Sequence, residues 1–282
     1  SNMANLTENQ LKAIELLATY KYLTSSQFVK MGVFKKRSYL TNSLKILIDS
    51  KNPLILKHDF NPINGKLESF YYLTKYGKKY LVNELEYVES KIKVPLGVNQ
   101  IYIKDYFHRK YTIDFHLAFR QWIESRKGKV EFLNYYFDKA GNNRSKNKND
   151  YVTALNKIQV DKVRSFIPDI NAIFVHNDTK YLFLFEQHNG KDAKRLFEQL
   201  FTHINAIFAK AIALKYDYKQ PYKVVVVCEE KSVKDSVIER LRKLDGIEHY
   251  NNFFIFKTNI ELEEDFYTNW TLINGEKTNF LI

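Results

Sequence analysis

The chain of 282 residues has almost no cysteine and no long apolar run. Its one cysteine, Cys228, excludes an internal disulfide and a zinc site built from several thiolates. Nothing approaches the run of about 20 apolar residues that a membrane-spanning helix needs, so we expect no membrane span. No signal-peptide pattern opens the chain, and Ser1-Asn2 before Met3 resembles the remnant of an expression tag. We expect a reducing, cytoplasmic location.

Positive charge is in excess, with 44 lysine and arginine residues against 32 acidic residues and a net charge of +12. The basic residues are spread along the chain, which is typical of a basic surface on a folded protein and of a polyanionic partner. A lysine-rich proteome from an AT-rich genome would give the same excess without such a partner. The length suits two modest domains or one large one.

Residues 6–90 predict a small helical domain. Thr7, followed three residues later by Gln10, is a capping-box pattern that begins the first helix. A short second helix follows and ends at Gly32. Leucines at helical spacing predict a third helix from about Arg37 to Ile48.

A predicted hairpin follows these three helices. Two strand-like runs, residues 54–56 and 70–73, surround a polar turn and precede a helix that begins near Lys75. This is the element order of a winged helix-turn-helix, whose third helix enters the major groove of DNA. The predicted DNA-binding residues are the outward polar residues of the third helix and its approach, with one residue at the wing tip: Lys35, Lys36, Arg37, Thr41, Asn42, Lys45 and Lys66. A wing-like module that binds protein is the alternative.

Residues 91–104 predict a linker, and residues 105–282 predict a second domain. A long helix over about 105–125 opens this domain. Asp114 lies on a stripe of that helix that is otherwise apolar, and both a metal-site role and a hydrogen-bonded structural role stay open for it. The stripe comprises Phe107, Tyr111, Asp114, Leu117 and Ala118. Spacing alone predicts a surface or interdomain position for His108.

The order helix, strand, strand, strand, helix, strand over residues 105–228 predicts an α/β layer. The later elements are predicted as a strand at 130–137, a long excursion at 138–164, a hairpin at 166–192, one helix at 191–215, a buried strand at 222–228, a helix at 232–243 and a strand at 252–257. In the helix at 191–215 the predicted buried residues are Leu196, Leu200, Ile204, Ile207, Phe208, Ala211 and Leu214. The basic, Asn-rich loop at 141–149 suits either phosphate binding or disorder, and residues 258–282 predict no element.

The predicted hairpin carries the candidate site. A two-residue loop at Asn177-Asp178 sets a register in which Asp169 lies opposite Glu186. Their Cβ atoms would then be roughly 4.5–5.5 Å apart on one face of the sheet. Two facing acids repel unless a positive group lies between them, and a divalent metal ion is the natural candidate. In the alternative, Asp169 lies beside a buried lysine and Glu186 caps the helix that starts near Gly190.

At these residues the chain resembles the PD-(D/E)XK phosphodiesterase superfamily, through Pro168-Asp169 followed by Glu186-Gln187-His188 and through the αβββαβ order of residues 105–228. A winged helix before such a core, with Ile167-Pro168-Asp169 and a Glu-x-His, is similar to the plasmid replication-relaxation family. That family is similar to the MobC-type relaxases, which nick plasmid DNA at an origin of transfer. The resemblance implies an N-terminal winged helix-turn-helix followed by a restriction-endonuclease-like domain.

The resemblance also implies a metal site. By position, Asp169 and Glu186 would ligate the metal, and the main-chain carbonyl of Gln187 would be a third ligand. Oxygen ligands with open positions suit Mg²⁺ or Mn²⁺, and a histidine nearby keeps Mn²⁺ acceptable.

The further catalytic residues implied by the resemblance depart in part from the superfamily pattern. His188 stands where the superfamily has a lysine, and Lys191 is close enough along the chain to take the place of that lysine. Asp114 matches a helix position where the superfamily often adds an acid, and His108 matches a histidine of the relaxase-like relatives.

The expected function is therefore binding of DNA at a plasmid origin and nicking by metal-dependent phosphodiester cleavage. Other relaxosome or replication proteins are further expected partners. One alternative is a non-catalytic DNA-binding accessory protein of replication or mobilisation with an inactive nuclease-like fold. Another is a transcription regulator whose second domain senses a ligand.

Overall fold

The computed structural model describes residues 5–61, 65–95, 101–141 and 152–281. The chain divides into two compact units, Ser1–His116 and Leu117–Ile282. The division falls inside the long helix Tyr106–Ser125, which the sequence pattern assigns entirely to the second domain. Within the described ranges, no helix combines the length and the apolar character that crossing a bilayer requires.

The first unit follows the predicted order of three helices, a hairpin and a fourth helix. Its elements are α1 (Glu8–Tyr20), α2 (Ser25–Lys30), α3 (Arg37–Ile48), β1 (Ile55–His58), β2 (Phe70–Leu73), α4 (Lys75–Leu85) and the first half of α5 (Tyr106–Ser125). Strands β1 and β2 pair antiparallel, with Ile55 opposite Leu73 and His58 opposite Phe70. The predicted helices and hairpin are thus confirmed to within about two residues at each end.

Side-chain caps decide where the first two helices begin. The Gln10 N–H donates to the Thr7 hydroxyl oxygen at 3.1 Å, and the Thr7 N–H donates to Oε1 of Gln10 at 3.0 Å. Thr24 and Gln27 form the same reciprocal pair at the start of α2. Each box satisfies N–H groups that a helix start leaves without an intrahelical partner.

The first half of α5 packs against the hairpin through an aromatic residue. The Tyr106 ring lies 5.0 Å from that of Phe70, and the Tyr106 hydroxyl donates to the Glu68 carbonyl at 2.9 Å. Because Tyr106 takes this place, its neighbour Phe107 is exposed. The apolar stripe predicted on this helix is therefore not buried along its whole length, since it includes the exposed Phe107.

The second unit is a mixed α+β structure. After α5, its elements are β3 (Lys129–Tyr135), β4 (Lys139–Ala140), β5 (Thr153–Ala154), β6 (Ile158–Gln159), β7 (Ser165–Phe166), β8 (Ile170–His176), β9 (Thr179–His188), α6 (Ala193–Phe208), α7 (Ala211–Tyr216), β10 (Lys223–Cys228), α8 (Lys231–Arg242), β11 (Phe254–Thr258), α9 (Asn259–Glu264), β12 (Trp270–Thr271) and β13 (Lys277–Thr278). Among the described residues, the main sheet has seven strands in the order β13-β12-β11-β10-β9-β8-β3. Strands β9, β10 and β11 run parallel, and the remaining neighbours pair antiparallel.

The two faces of this sheet are filled by different side chains. One face contributes aliphatic residues such as Leu184 and Val226, which pack with Leu200 of α6 and Val237 of α8. The other face is aromatic, and Phe119 of α5 lies 5.2 Å from Phe174 and 5.0 Å from Phe183 between ring centroids. The alternation of side chains along β9 sends one set of residues to each face.

The central hairpin has the predicted register. Pairing between β8 and β9 runs from His176 opposite Thr179 to Ile170 opposite Phe185. The two loop residues, Asn177 and Asp178, have φ angles of 48° and 62°. Two successive positive φ angles are those of a type I′ turn, which matches the twist of a hairpin. The two-residue loop is confirmed.

The single helix predicted over 191–215 is wrong, because the chain breaks between α6 and α7. Lys210 takes a left-handed φ of 53° at the break. A break resets the helical periodicity, so residues on either side of it no longer share one buried face. Phe208 and Leu214, both predicted to be buried, are 82% and 84% exposed.

The C-terminal segment, for which the sequence predicts no element, completes the aromatic face of the sheet. Strands β12 and β13 extend the sheet beyond β11. Trp270 and Phe280 are fully buried, and the Phe280 ring lies 5.3 Å from Trp122 and 5.8 Å from Phe183. This segment is therefore part of the core of the second unit.

We predict that Trp270→Ala lowers the free energy of unfolding by about 3–5 kcal/mol, because the large ring leaves a cavity in a packed core. Ile260→Ala, on the exposed side of α9, is the control and should change stability by no more than about 0.5 kcal/mol. Urea unfolding of the full chain, followed by circular dichroism, measures both. Equal midpoints for the two variants would contradict the assignment of the C-terminal segment to the core.

Candidate functional site

Helix α3 presents an exposed, polar and basic face, which we call the α3 surface. Its buried side consists of Leu40, Leu44 and Leu47, whose spacing turns the other residues outward. The α3 surface comprises Lys35, Lys36, Arg37, Ser38, Tyr39, Thr41, Asn42, Lys45 and Ile46, all exposed. The predicted DNA-binding residues other than Lys66 thus lie together on one helix and its approach.

Arg37 and Thr41 of the α3 surface have partners inside the first unit. Nη2 of Arg37 lies 3.1 Å from Oε1 of Glu68. The same Glu68 oxygen accepts from the main-chain N–H and the hydroxyl of Ser26, at 2.9 and 2.8 Å. The Thr41 hydroxyl donates to the Arg37 carbonyl at 2.9 Å. A DNA phosphate would therefore compete with Glu68 for the Arg37 guanidinium.

Lys66 is exposed in the connection between β1 and β2, next to Gly65, whose φ is 91°. Asn64, which precedes Gly65, lies outside the described residues. Tyr39 and Ile46 are not among the predicted DNA-binding residues, although they belong to the α3 surface. A helical wheel drawn from the three buried leucines is the signal that identifies them.

The Asp169 carboxylate is held by the main chain of the neighbouring strand. Asp169 lies one residue beyond the last regular pair of the hairpin, and its N–H donates to the Phe185 carbonyl at 3.0 Å. Its Oδ2 accepts the Gln187 N–H at 2.7 Å. The residue is only 5% exposed. The regular pairing of β8 with β9 ends beside Asp169. Its carboxylate therefore accepts a main-chain N–H of β9 in place of a main-chain carbonyl.

The Glu186 carboxylate is held by helix α6. Its Oε1 lies 2.9 Å from Nε2 of His203, and its Oε2 accepts from Nε2 of Gln199 at 2.5 Å. Glu186 is 1% exposed, so both oxygens are satisfied inside the protein. The alternative prediction, in which Glu186 caps α6, is wrong. Asp192 caps this helix by accepting the Arg195 N–H.

The sequence reasoning missed Gln199 and His203. They lie four residues apart on α6, so both point from the same side of the helix. Apart from His203, the buried residues of that helix are apolar: Leu196, Leu200, Ile204 and Ala206. Two polar residues four positions apart, next to an apolar stripe, are the sequence signal that the helix contacts a buried polar side chain.

His203 is neutral at neutral pH. Its complete burial disfavours the charged form and lowers the pKa of His203 to about 3. An imidazolium would need an acceptor at both nitrogens, and Nδ1 of His203 has no hydrogen-bond partner among the described residues. The Nε2–H therefore donates to Glu186, and the ring packs edge-on against Phe166 at 4.8 Å.

The other predicted residues of the second unit lie close along the chain but in different surroundings. His188 is buried, and its main-chain carbonyl accepts the Glu229 N–H at 2.9 Å. The Gln187 side chain donates to Asn189 at 3.0 Å and to Asn259 at 2.9 Å. Lys191 is exposed before the start of α6.

Asp114 and His108 belong to the first unit. Oδ1 of Asp114 accepts from Nε2 of Gln27 at 2.9 Å. Nδ1 of His108 lies 3.3 Å from Oδ1 of Asp105. For Asp114, the contact with α2 supports the hydrogen-bonded structural role over the metal-site role.

No family model, curated protein or solved structure matches the chain. The resemblance to the PD-(D/E)XK superfamily consequently stays a prediction from short motifs.

The carboxylates of Asp169 and Glu186 suit one kind of metal site. Within the described ranges, no three or more histidine, cysteine, aspartate and glutamate side chains group to hold a metal ion. Mg²⁺, however, is commonly held by one or two carboxylates together with water and substrate phosphates. The donor set therefore fits Mg²⁺ or Mn²⁺ bound together with a phosphate substrate.

We predict that Gln199→Ala lowers the free energy of unfolding by about 1.5–3 kcal/mol, because the buried Glu186 carboxylate loses a donor. Glu198→Ala changes the next residue of the same helix, whose exposed carboxylate lies 3.9 Å from Lys194. That control should stay within about 0.5 kcal/mol of the unchanged protein. Both values come from urea unfolding, and indistinguishable variants would show that Gln199 does not support Glu186.

Proposed function

We propose that the protein binds duplex DNA through its first unit, as a winged helix-turn-helix. The α3 surface carries this proposal. A recognition helix must keep one side buried in its own domain and present polar side chains that reach base edges on the other. Helix α3 meets both requirements, since its leucines are buried and the α3 surface is exposed.

The charge around α3 supports the same function. Lys35 and Lys36 are exposed immediately before the helix, where its positive end already favours phosphate. Lys45 is exposed on the helix, and Lys66 is exposed in the hairpin connection. Such lysines fix the position of a duplex through its backbone, while base contacts supply the specificity.

We predict that replacing Lys36 and Lys45 by alanine weakens binding to every duplex to a similar degree. Each lost phosphate contact should reduce the slope of log K against log salt by about 1. Fluorescence anisotropy with a labelled duplex at several salt concentrations measures both quantities. Lys194→Ala removes an exposed lysine of α6 and is the matched control. An unchanged slope in the double variant would argue against the α3 surface.

As a second candidate function we propose that the second unit is a restriction-endonuclease-like domain that nicks plasmid DNA near an origin. The observation that favours it is a pair of buried carboxylates, Asp169 and Glu186, at neighbouring ends of the central strands β8 and β9. Buried carboxylates are costly unless they are paired, hydrogen-bonded or metal-bound. Replication or mobilisation proteins would be its partners.

In that function Asp169 and Glu186 would hold Mg²⁺ or Mn²⁺. Such an ion, when bound, would polarise a phosphodiester and activate water as the nucleophile. The Gln187 N–H orients the Asp169 carboxylate, and Gln199 and His203 orient that of Glu186. Partners of this kind fix ligand geometry in metal sites.

The same contacts also suit an inactive, purely structural site. Both Glu186 oxygens already accept hydrogen bonds from α6, which stabilise the packing of the helix on the sheet. In that case the protein would be a DNA-binding accessory protein whose second unit is a scaffold.

We predict that Asp169→Asn and Glu186→Gln, which keep the side-chain shape, each reduce nicking of supercoiled plasmid in Mg²⁺ or Mn²⁺ by about 100-fold or more. Loss of an outer hydrogen-bond partner alone already costs roughly 10- to 100-fold in metal sites. Conversion of supercoiled to open-circular plasmid is the readout. A chelator should abolish it, and duplex binding by both variants should be unchanged.

Equal nicking by the variants and the unchanged protein would exclude the two carboxylates from catalysis. No nicking by the unchanged protein in either metal, with intact DNA binding, would favour the accessory-protein function.

A further inference from the structure

Helix α3 exposes two large apolar side chains. Tyr39 is 56% exposed and Ile46 is 68% exposed. They are seven residues apart, which is two helical turns, so they lie on one side of the helix. Asn42 lies between them, three residues after Tyr39 and four before Ile46. We call Tyr39, Asn42 and Ile46 the reading stripe.

The reading stripe differs from its polar neighbours on the α3 surface. Arg37 is paired with Glu68, and the Thr41 hydroxyl donates to a carbonyl of its own helix. Lys45 is a point charge with Asp49 at 3.8 Å. Asn42 supplies the one carboxamide of α3, a donor and an acceptor held side by side.

We propose that the reading stripe selects A·T base pairs in the major groove, with Asn42 on adenine and Tyr39 and Ile46 on thymine methyl groups. This inference rests on the proposed DNA binding of the first unit. The carboxamide matches the N6 donor and N7 acceptor of adenine. The C5 methyl of thymine is the apolar group that the major groove offers, and a G·C pair lacks it.

The dimensions of the stripe agree with a short site. Seven residues of helix rise by about 10 Å, which corresponds to roughly three base-pair steps of 3.4 Å. Tyr39 and Ile46 therefore reach different base pairs on either side of the pair read by Asn42. The recognised duplex should carry A·T pairs at three positions within about four consecutive base pairs.

Selection of tight-binding duplexes from a random library identifies the site, and two base analogues then test each contact in turn. Replacing thymine by uracil removes only the C5 methyl group. This change should lower the affinity of the unchanged protein for the duplex by about fourfold per contacted methyl. Replacing adenine by 7-deazaadenine removes the N7 acceptor. This change should lower the affinity by about 5-fold or more, which lies within the range of a bidentate contact.

The variants assign these losses to residues. Ile46→Ala should bind the thymine and uracil duplexes equally at the position it reads, and Asn42→Ala should no longer distinguish adenine from 7-deazaadenine. Lys45→Ala is the matched control, which should weaken binding to all duplexes while keeping both distinctions. Circular dichroism confirms that these surface variants remain folded.

G·C pairs at the selected positions would overturn the inference, and so would a uracil penalty that Ile46→Ala retains in full. Duplex binding with no base preference would overturn the A·T selection but not the proposed DNA binding. Failure to bind any duplex at low salt would overturn the proposed DNA binding as well.

Discussion

The two-residue turn at Asn177 and Asp178 fixes the register on which the second unit depends. Strand side chains alternate between faces, so a slip of one residue would exchange every side chain of β9 between the aliphatic and the aromatic layer. In the observed register Leu184 packs towards α6, and Phe183 packs against Phe119. The same register brings Glu186 to α6, where Gln199 and His203 meet it. Local turn chemistry thus determines a distant polar contact.

Burial then decides how each carboxylate is stabilised. An ionised carboxylate removed from water is costly unless hydrogen bonds replace its solvation. Asp169 obtains a main-chain N–H because the ladder ends beside it, whereas Glu186 obtains two side chains from a helix. The neutral state of His203 follows from the same burial, since a second proton would have no acceptor among the described residues. Polar groups held in this way are oriented before any ligand arrives, as a metal site requires.

The sequence predicts those parts of the fold that local chemistry determines. Capping threonines, the leucines of α3 and the Asn177-Asp178 turn each act within a few residues, and their predictions agree with the structure. Contacts between distant segments were missed: Gln199 and His203 with Glu186, and Phe280 with Trp122. Lys210 breaks a helix without glycine or proline, so no local signal warned that Phe208 and Leu214 would be exposed.

The two candidate sites differ in what a ligand must do to reach them. The α3 surface is exposed, so a duplex could contact Asn42 and Lys45 without any rearrangement. Asp169 and Glu186 are 5% and 1% exposed, so a cation or phosphate would have to reach carboxylates that already accept hydrogen bonds inside the protein. The proposed binding and the proposed cleavage depend on different residues. DNA binding can therefore persist with or without cleavage, and the geometry of α3 supports binding more directly than that of the carboxylates supports catalysis.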